Sequence, residues 1–149
     1  MRAKYVHTNL VARNWRKLAD FYIAVFGCVP VPPERDLRGD WLDQATGIPG
    51  AAVQGIHLRL PGLGEGGPTL EIFTYRKNGK KRETGPNAEG FGHIAFAVDD
   101  VDVAVAAIQL HGGGLVGRIV TAEVAGVGTI NFAYARDPEG NIIEVQKWK

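Results

Sequence analysis

Two histidines and two glutamates stand at matching places in two stretches of this chain. His7 opens the run H-T-N-L-V-A-R-N-W-R-K-L-A-D-F-Y-I-A-V-F-G, and His93 opens H-I-A-F-A-V-D-D-V-D-V-A-V-A-A-I-Q-L-H-G-G. Glu71 sits in T-L-E-I-F-T-Y and Glu144 in N-I-I-E-V-Q-K-W, each flanked by aliphatics with an aromatic four residues on. A lone strand histidine is usually a satisfied core or surface residue, and a lone strand glutamate usually faces water. Here both types recur in both stretches. Burying two carboxylates in one cavity costs several kcal/mol unless something compensates them. One divalent cation does so, neutralising both charges and accepting two neutral imidazoles. Two His and two Glu form a mixed nitrogen and oxygen set suited to Zn, Ni, Co, Mn or Fe(II). An octahedral ion so held would keep two positions open for water or substrate.

The elements that must carry these residues repeat as well. After each histidine comes a β-like run, then a turn at Asn14 or at Asp99-Asp100. Helical spacing follows, through Leu18, Phe21, Tyr22 and Val25 in one half and Val101, Val105 and Ile108 in the other. Gly27 and Gly113 come twenty positions after their histidines, where a left-handed residue would end a helix. Short strands are expected at 41–44 and 53–60, joined to the Glu71 strand by the Gly/Pro-rich loop 61–68. In the second half the expected middle strands are 114–124 and 129–135, with Asp137-Pro138-Glu139-Gly140-Asn141 as a tight turn. Each half therefore reads strand with His, helix, two weaker strands, strand with Glu.

Alternation along a strand sorts the side chains by face. Val6, Thr8 and Leu10 oppose His7, Asn9 and Val11. Leu70 and Ile72 oppose Glu71, Phe73 and Tyr75. Ile94, Phe96 and Val98 oppose His93, Ala95 and Ala97, and Ile143 and Val145 oppose Ile142, Glu144 and Gln146. The more apolar face of each strand belongs against a helix, which leaves the His or Glu on the other. The expected fold class is α+β: two βαβββ modules in one domain, 1–149, with paired curved mixed sheets of four strands each and helices on the convex side. Module 1 covers about 1–76, a charged connector 77–90, and module 2 about 91–149.

The whole chain sets outer bounds. At 149 residues it can bury roughly 70% of its unfolded surface. A net charge of +1 gives no global field toward nucleic acid or an anionic membrane. No run of about 18 apolar residues and no apolar leader segment occurs, so the expected compartment is the cytoplasm. Cys28, the single cysteine, reads as a small buried thiol. His57 and Arg59 share a strand face that points either into a cavity or to solvent. His111 reads as a residue near a helix end, favoured by the dipole. The basic run Arg76, Lys77, Lys80, Lys81 and Arg82 reads as a solvated connector, or as a patch that meets a phosphate.

These motifs resemble those of the vicinal oxygen chelate superfamily, which includes glyoxalase I, methylmalonyl-CoA epimerase, extradiol dioxygenases and the fosfomycin and bleomycin resistance proteins. The carriers are His7-Thr8, Ala19-Asp20-Phe21-Tyr22 with Phe26-Gly27, Leu70-Glu71-Ile72, Gly92-His93-Ile94-Ala95-Phe96 and the run from Arg136 to Glu144. The resemblance covers essentially the whole chain. It implies one divalent metal ion per site held by His7, Glu71, His93 and Glu144, a small carbonyl substrate and a homodimer.

Position 71 separates the reaction classes within that resemblance. Dioxygenase sites resemble a His-His-Glu triad with no ligand at this strand, whereas Glu71 fills it here. A four-ligand set resembles glyoxalase I and methylmalonyl-CoA epimerase. The resemblance therefore implies a lyase or isomerase that moves a proton next to a carbonyl held at the metal, with Glu144 the first candidate base and Glu71 the second. The glutathione-dependent enzymes typically carry an arginine four positions after the first His and an asparagine four after the first Glu. Val11 and Tyr75 stand there instead, which implies epimerase-like chemistry without glutathione. The alternatives are a non-haem iron dioxygenase and a metal-free small-molecule binding (resistance) protein.

Overall fold

The computed structural model describes residues 1–81 and 85–149, so Arg82 of the basic run lies outside the described residues. The chain divides into two compact units, Met1–Lys81 and Arg82–Lys149. Both are α+β, with a mixed sheet of four strands in the first and of five in the second.

In the first unit, β1 (His7–Val11) leads into α1 (Trp15–Phe26). Asn14 caps this helix by accepting from the Lys17 amide, and Gly27 ends it at φ +67, as its position after the apolar repeat predicts. Then follow β2 (Val29–Arg38), α2 (Asp40–Thr46), β3 (Ala52–Arg59) and β4 (Thr69–Tyr75), in the spatial order β1-β4-β3-β2. β1 runs parallel to β4, and the other pairs are antiparallel. α1 packs against β3 and β4. Leu18, Tyr22, Leu58, Leu70 and Ile72 are buried completely or nearly so. Each such side chain contributes roughly 1.5–3 kcal/mol on leaving water.

One expectation fails here. Residues 41–44 form no strand but the middle of α2, whose first turn carries Asp40 and Asp43 and whose end is the left-handed Gly47. The strand is instead V-P-V-P-P-E-R-D-L-R, residues 29–38. Its three prolines argue against a central strand, yet β2 is a sheet edge, where a missing amide costs little. Its pairing with β3 shifts between Val31 and Arg35. α2 brings Leu42 against Val53 and Phe73, with Ala51, Leu37 and Tyr75 around them. Phe73 is thus buried although it shares the face of Glu71.

In the second unit, β5 (Ile94–Ala97) leads into α3 (Val101–Leu110), capped by Asp100 through the Val103 amide. β6 (Gly114–Leu115), β7 (Val120–Val124), β8 (Gly128–Arg136) and β9 (Ile142–Trp148) complete the sheet, with β5 parallel to β9. The strand expected over 114–124 is broken in two. β6 pairs with the end of β8 and β7 with its start, while the Val116 amide still reaches the Tyr134 carbonyl at 2.9 Å. An extra stretch between two aligned segments turns one edge strand into two, and the sheet has five strands rather than four. His93 lies immediately before β5, not within it.

The left-handed glycine after α3 is Gly112, at φ +88, and not Gly113. Gly113 is required for a different reason. A Cβ there would lie 2.3 Å from the Arg136 carbonyl oxygen and 2.6 Å from Ile108. Helix and sheet approach too closely at that point for any side chain. Among the described residues no helix is long and apolar enough to cross a membrane.

Candidate metal centre

Across the first sheet, register places Asn9, Glu71 and His57 in one row on β1, β4 and β3. Strand alternation puts all three on the face away from α1, with His7 two residues along. The Glu71 side chain is only 14% exposed, which separates it from an ordinary solvent-facing strand glutamate. His57 Nε2 stands 3.0 Å from Glu71 Oε1, His7 Nε2 stands 3.6 Å from Oε2, and Asn9 Nδ2 donates to Oε2 at 2.8 Å. One ligand atom each from His7, His57 and Glu71 falls within a span of 4.8 Å. Two imidazoles and a carboxylate at that spacing fit a divalent transition metal.

The tautomer of His57 follows from its neighbours. An ionised carboxylate only accepts, so Nε2 carries the hydrogen toward Glu71. Nδ1 then accepts from the Thr69 hydroxyl at 2.9 Å. Burial is the largest influence on this imidazole and lowers its pKa. The Glu71 charge opposes that fall, while the electrostatic influence of Arg35 and then of His7 adds to it. Burial thus favours the neutral imidazole, which in this tautomer gives its Nε2–H to Glu71; binding a metal through Nε2 needs the other tautomer, with Nδ1–H donated to the Thr69 hydroxyl.

The second sheet repeats the arrangement with two substitutions. Ala95, Glu144 and Tyr134 form the equivalent row on β5, β9 and β8. His93 Nε2 lies 3.0 Å from Glu144 Oε2, and the Glu144 side chain is 12% exposed. Tyr134 replaces His57: its ring is 5.1 Å from that of His93, as the His7 and His57 rings are 5.6 Å apart. Burial, then the Glu144 charge and a hydrogen bond to Glu144, raise the Tyr134 pKa. Ala95 replaces Asn9, so the carboxylate of Glu144 has no amide donor from β5.

The structure thus joins the expected ligands in pairs, His7 with Glu71 and His93 with Glu144. It adds His57, whose face the sequence left open between cavity and solvent. A signal for it exists: a loop symmetric about Gly64 puts residue 57 opposite residue 71. The turn before β9 is built around Asp137, 2% exposed, whose Oδ1 accepts the Glu139 and Asn141 amides at 2.9 Å. That turn sets the β8–β9 register and hence the place of Glu144 opposite Tyr134. His111 caps the end of α3.

Comparison with known proteins gives the same frame. A probable lactoylglutathione lyase from Vibrio parahaemolyticus is 42% identical over 57 residues, which are 37% of this chain. The match spans 38% of that protein's length. A glyoxalase family protein from Bacillus cereus superposes with a TM-score of 0.78 at 20% identity, over 99% of this chain and 94% of its own. A glyoxalase/bleomycin resistance protein/dioxygenase domain from a Frankia species gives a TM-score of 0.62 at 18% identity, over the full length of both chains. Identities this low carry the fold alone. The family model described as the Glyoxalase/Bleomycin resistance protein/Dioxygenase superfamily matches residues 4–145, and the chain belongs to that superfamily.

Proposed function

We propose that the chain is a metal-dependent lyase or isomerase of the glyoxalase type, which moves a proton next to a carbonyl group and does not depend on glutathione. The observation that carries this reading is the doubled pair: His7 with Glu71 and His93 with Glu144, each glutamate sunk among strand neighbours and each in register with a polar or aromatic partner. In this reading His7, Glu71, His93 and Glu144 are ligands of a divalent ion. Such an ion polarises a carbonyl oxygen and so acidifies the adjacent C–H bond.

The protein groups supply the rest. Glu71 has both oxygens engaged, one by His57 and one by Asn9, and serves as a fixed ligand. Glu144 has the Tyr134 hydroxyl as its donor from β8 but no amide donor from β5, and is the carboxylate freer to move and take the proton. The absence of glutathione has support at Tyr75, which packs against the apolar Leu42, Val53 and Phe73 cluster instead of offering an amide. Val11 likewise supplies no cation at its position. The substrate of this reading is a small carbonyl compound, and the chain pairs with a second copy through its sheet edges.

Metal analysis of protein purified without chelator tests the site. One ion per chain is expected, and its loss in the His7→Ala, His93→Ala double variant. Undiminished metal in the double variant would sink this ligand assignment. A second reading has its own observation. His7, His57 and Glu71 by themselves form a two-His, one-carboxylate set of the kind that non-haem iron oxygenases use. Oxygen consumption by the Fe(II)-loaded protein with a catechol would favour it.

A further inference from the structure

The first sheet distributes its charges unevenly between its two faces. On the face that carries α1, two arginines have carboxylate partners. Arg16 meets both oxygens of Glu34 at 2.7 Å, and Arg38 meets Asp36 at 2.6 Å. On the opposite face, which carries the metal-ligand candidates, strand alternation places Arg35 and Arg59. Both are half-buried, and among the described residues neither has an ion-pair partner. Arg35 donates only to the carbonyl of Pro33, two residues back. The one strand carboxylate on this face is Glu71, already engaged by His57 and Asn9.

Local backbone features put Arg35 there. β2 shifts its pairing between Val31 and Arg35, so that Val31 faces His57 and Arg35 faces Gly55. Gly55 cannot carry a side chain, because a Cβ would lie 2.1 Å from the Ile72 carbonyl oxygen and 2.2 Å from the Phe73 ring. Arg35 therefore stands across a bare position, next to the row that holds His57 and Glu71. Arg59 flanks His57 on the other side, two residues along β3 and opposite Thr69. Half-burying two guanidiniums without counter-charges is unfavourable, and a divalent ion nearby would add more positive charge. A planar oxyanion relieves this, because the guanidinium fork matches carboxylate and phosphate alike.

We infer that the substrate is an anionic carbonyl compound, whose carboxylate or phosphate is held by Arg35, with Arg59 a second cation on the far side of His57. This inference rests on the carbonyl chemistry proposed above and names its substrate class.

The test is equilibrium binding by calorimetry to the protein as purified and to chelator-treated protein, with metal content measured on the same samples. The probes are 4-oxopentanoate against its neutral amide, and dihydroxyacetone phosphate against dihydroxyacetone. The anionic member of at least one pair should bind about 10- to 100-fold more tightly, and the preferred pair identifies the oxyanion. Arg35→Gln should bring that preference close to unity while metal content and melting temperature stay unchanged. Arg59→Gln should reduce it by less, and Arg38→Gln, on the other face, should leave it intact. No preference in either pair, or a preference that survives in both Arg35→Gln and Arg59→Gln, overturns the inference. Because the preference is read with and without metal, loss of the metal reading would not hide the result.

Discussion

His57 lies directly across from Glu71 on the neighbouring strand, with its Nε2 3.0 Å from one oxygen of that carboxylate. The other oxygen takes the Asn9 amide at 2.8 Å from the strand on the opposite side. Glu71 is thus held from both flanking strands before any ion arrives. Groups that orient a metal ligand typically affect affinity by about 10- to 100-fold. His57→Ala should therefore weaken metal binding by about that factor in competition with a chromogenic chelator, with the fold retained. His57→Gln, which restores an N–H donor, should recover part of the loss. Equal affinity in wild type and His57→Ala would remove His57 from the centre.

The Asp137 turn should be a main determinant of stability in the second unit. Besides the two backbone amides on Oδ1, its Oδ2 accepts the Asn141 side-chain amide at 2.7 Å. Truncation leaves buried donors unmet, at about 1–3 kcal/mol for each group stranded. Asp137→Ala should cost roughly 3 kcal/mol in urea unfolding, with Asp137→Asn milder. A loss within about 0.5 kcal/mol, the range of an ordinary surface substitution, would show that the turn does not hold β8 and β9 in register.

Cys28 should be inert. It is 2% exposed, and burial pushes its thiol pKa from 9.0 up to about 11. Two units of pKa reduce the thiolate population about 100-fold at neutral pH, before any steric exclusion. Iodoacetamide at pH 8 should label the folded chain at least about 100-fold more slowly than the chain in guanidinium chloride. Comparable rates would mean that the packing around the end of α1 opens readily.

Much of this arrangement is legible in the sequence because the repeat is carried by strong local signals. Asn14 and Asp100 cap their helices, Gly27 ends one, and the D-P-E-G-N turn folds as its residue types require. The failures fall where tertiary context outweighs local preference. The prolines of β2 disfavour a strand, yet they sit on an edge. The stretch 41–44 lacks clear periodicity, yet Leu42 docks on Val53 and Phe73 as part of a short helix. The left-handed role that spacing gives Gly113 falls to Gly112, and Gly113 is needed instead for a helix–sheet approach that cannot be read from one segment. At the candidate site, alternation puts His7, Glu71 and Glu144 on the right faces. His57 is ambiguous without the β3–β4 register, and the significance of Arg35 depends on a bulge that no local pattern announces.

The two glutamates should play different parts in the reaction. Their surroundings differ: Glu71 has Asn9 and His57 as strand neighbours, whereas Glu144 has Ala95 and Tyr134. A carboxylate fixed by two donors resists rotation away from an ion, and one lacking the amide rotates more freely. A ligand's basicity is suppressed while it is bound to a cation, so the base must first detach, at least in part. Glu144 is therefore expected to act as the base and Glu71 to remain a ligand. Solvent deuterium exchange into 2-oxo and 3-oxo thioesters, aldehydes and the anionic ketones 4-oxopentanoate and dihydroxyacetone phosphate measures the step directly. Glu144→Gln should keep most of its metal and lose exchange by about 10²- to 10⁴-fold, the usual worth of a positioned general base. Glu71→Gln leaves an amide oxygen able to coordinate, and should lose less. Abolished exchange in Glu71→Gln with near-normal exchange in Glu144→Gln would reverse the roles. A fully metal-loaded wild type that exchanges nothing across the panel would end the proton-transfer reading and turn attention to oxygen chemistry at His7, His57 and Glu71.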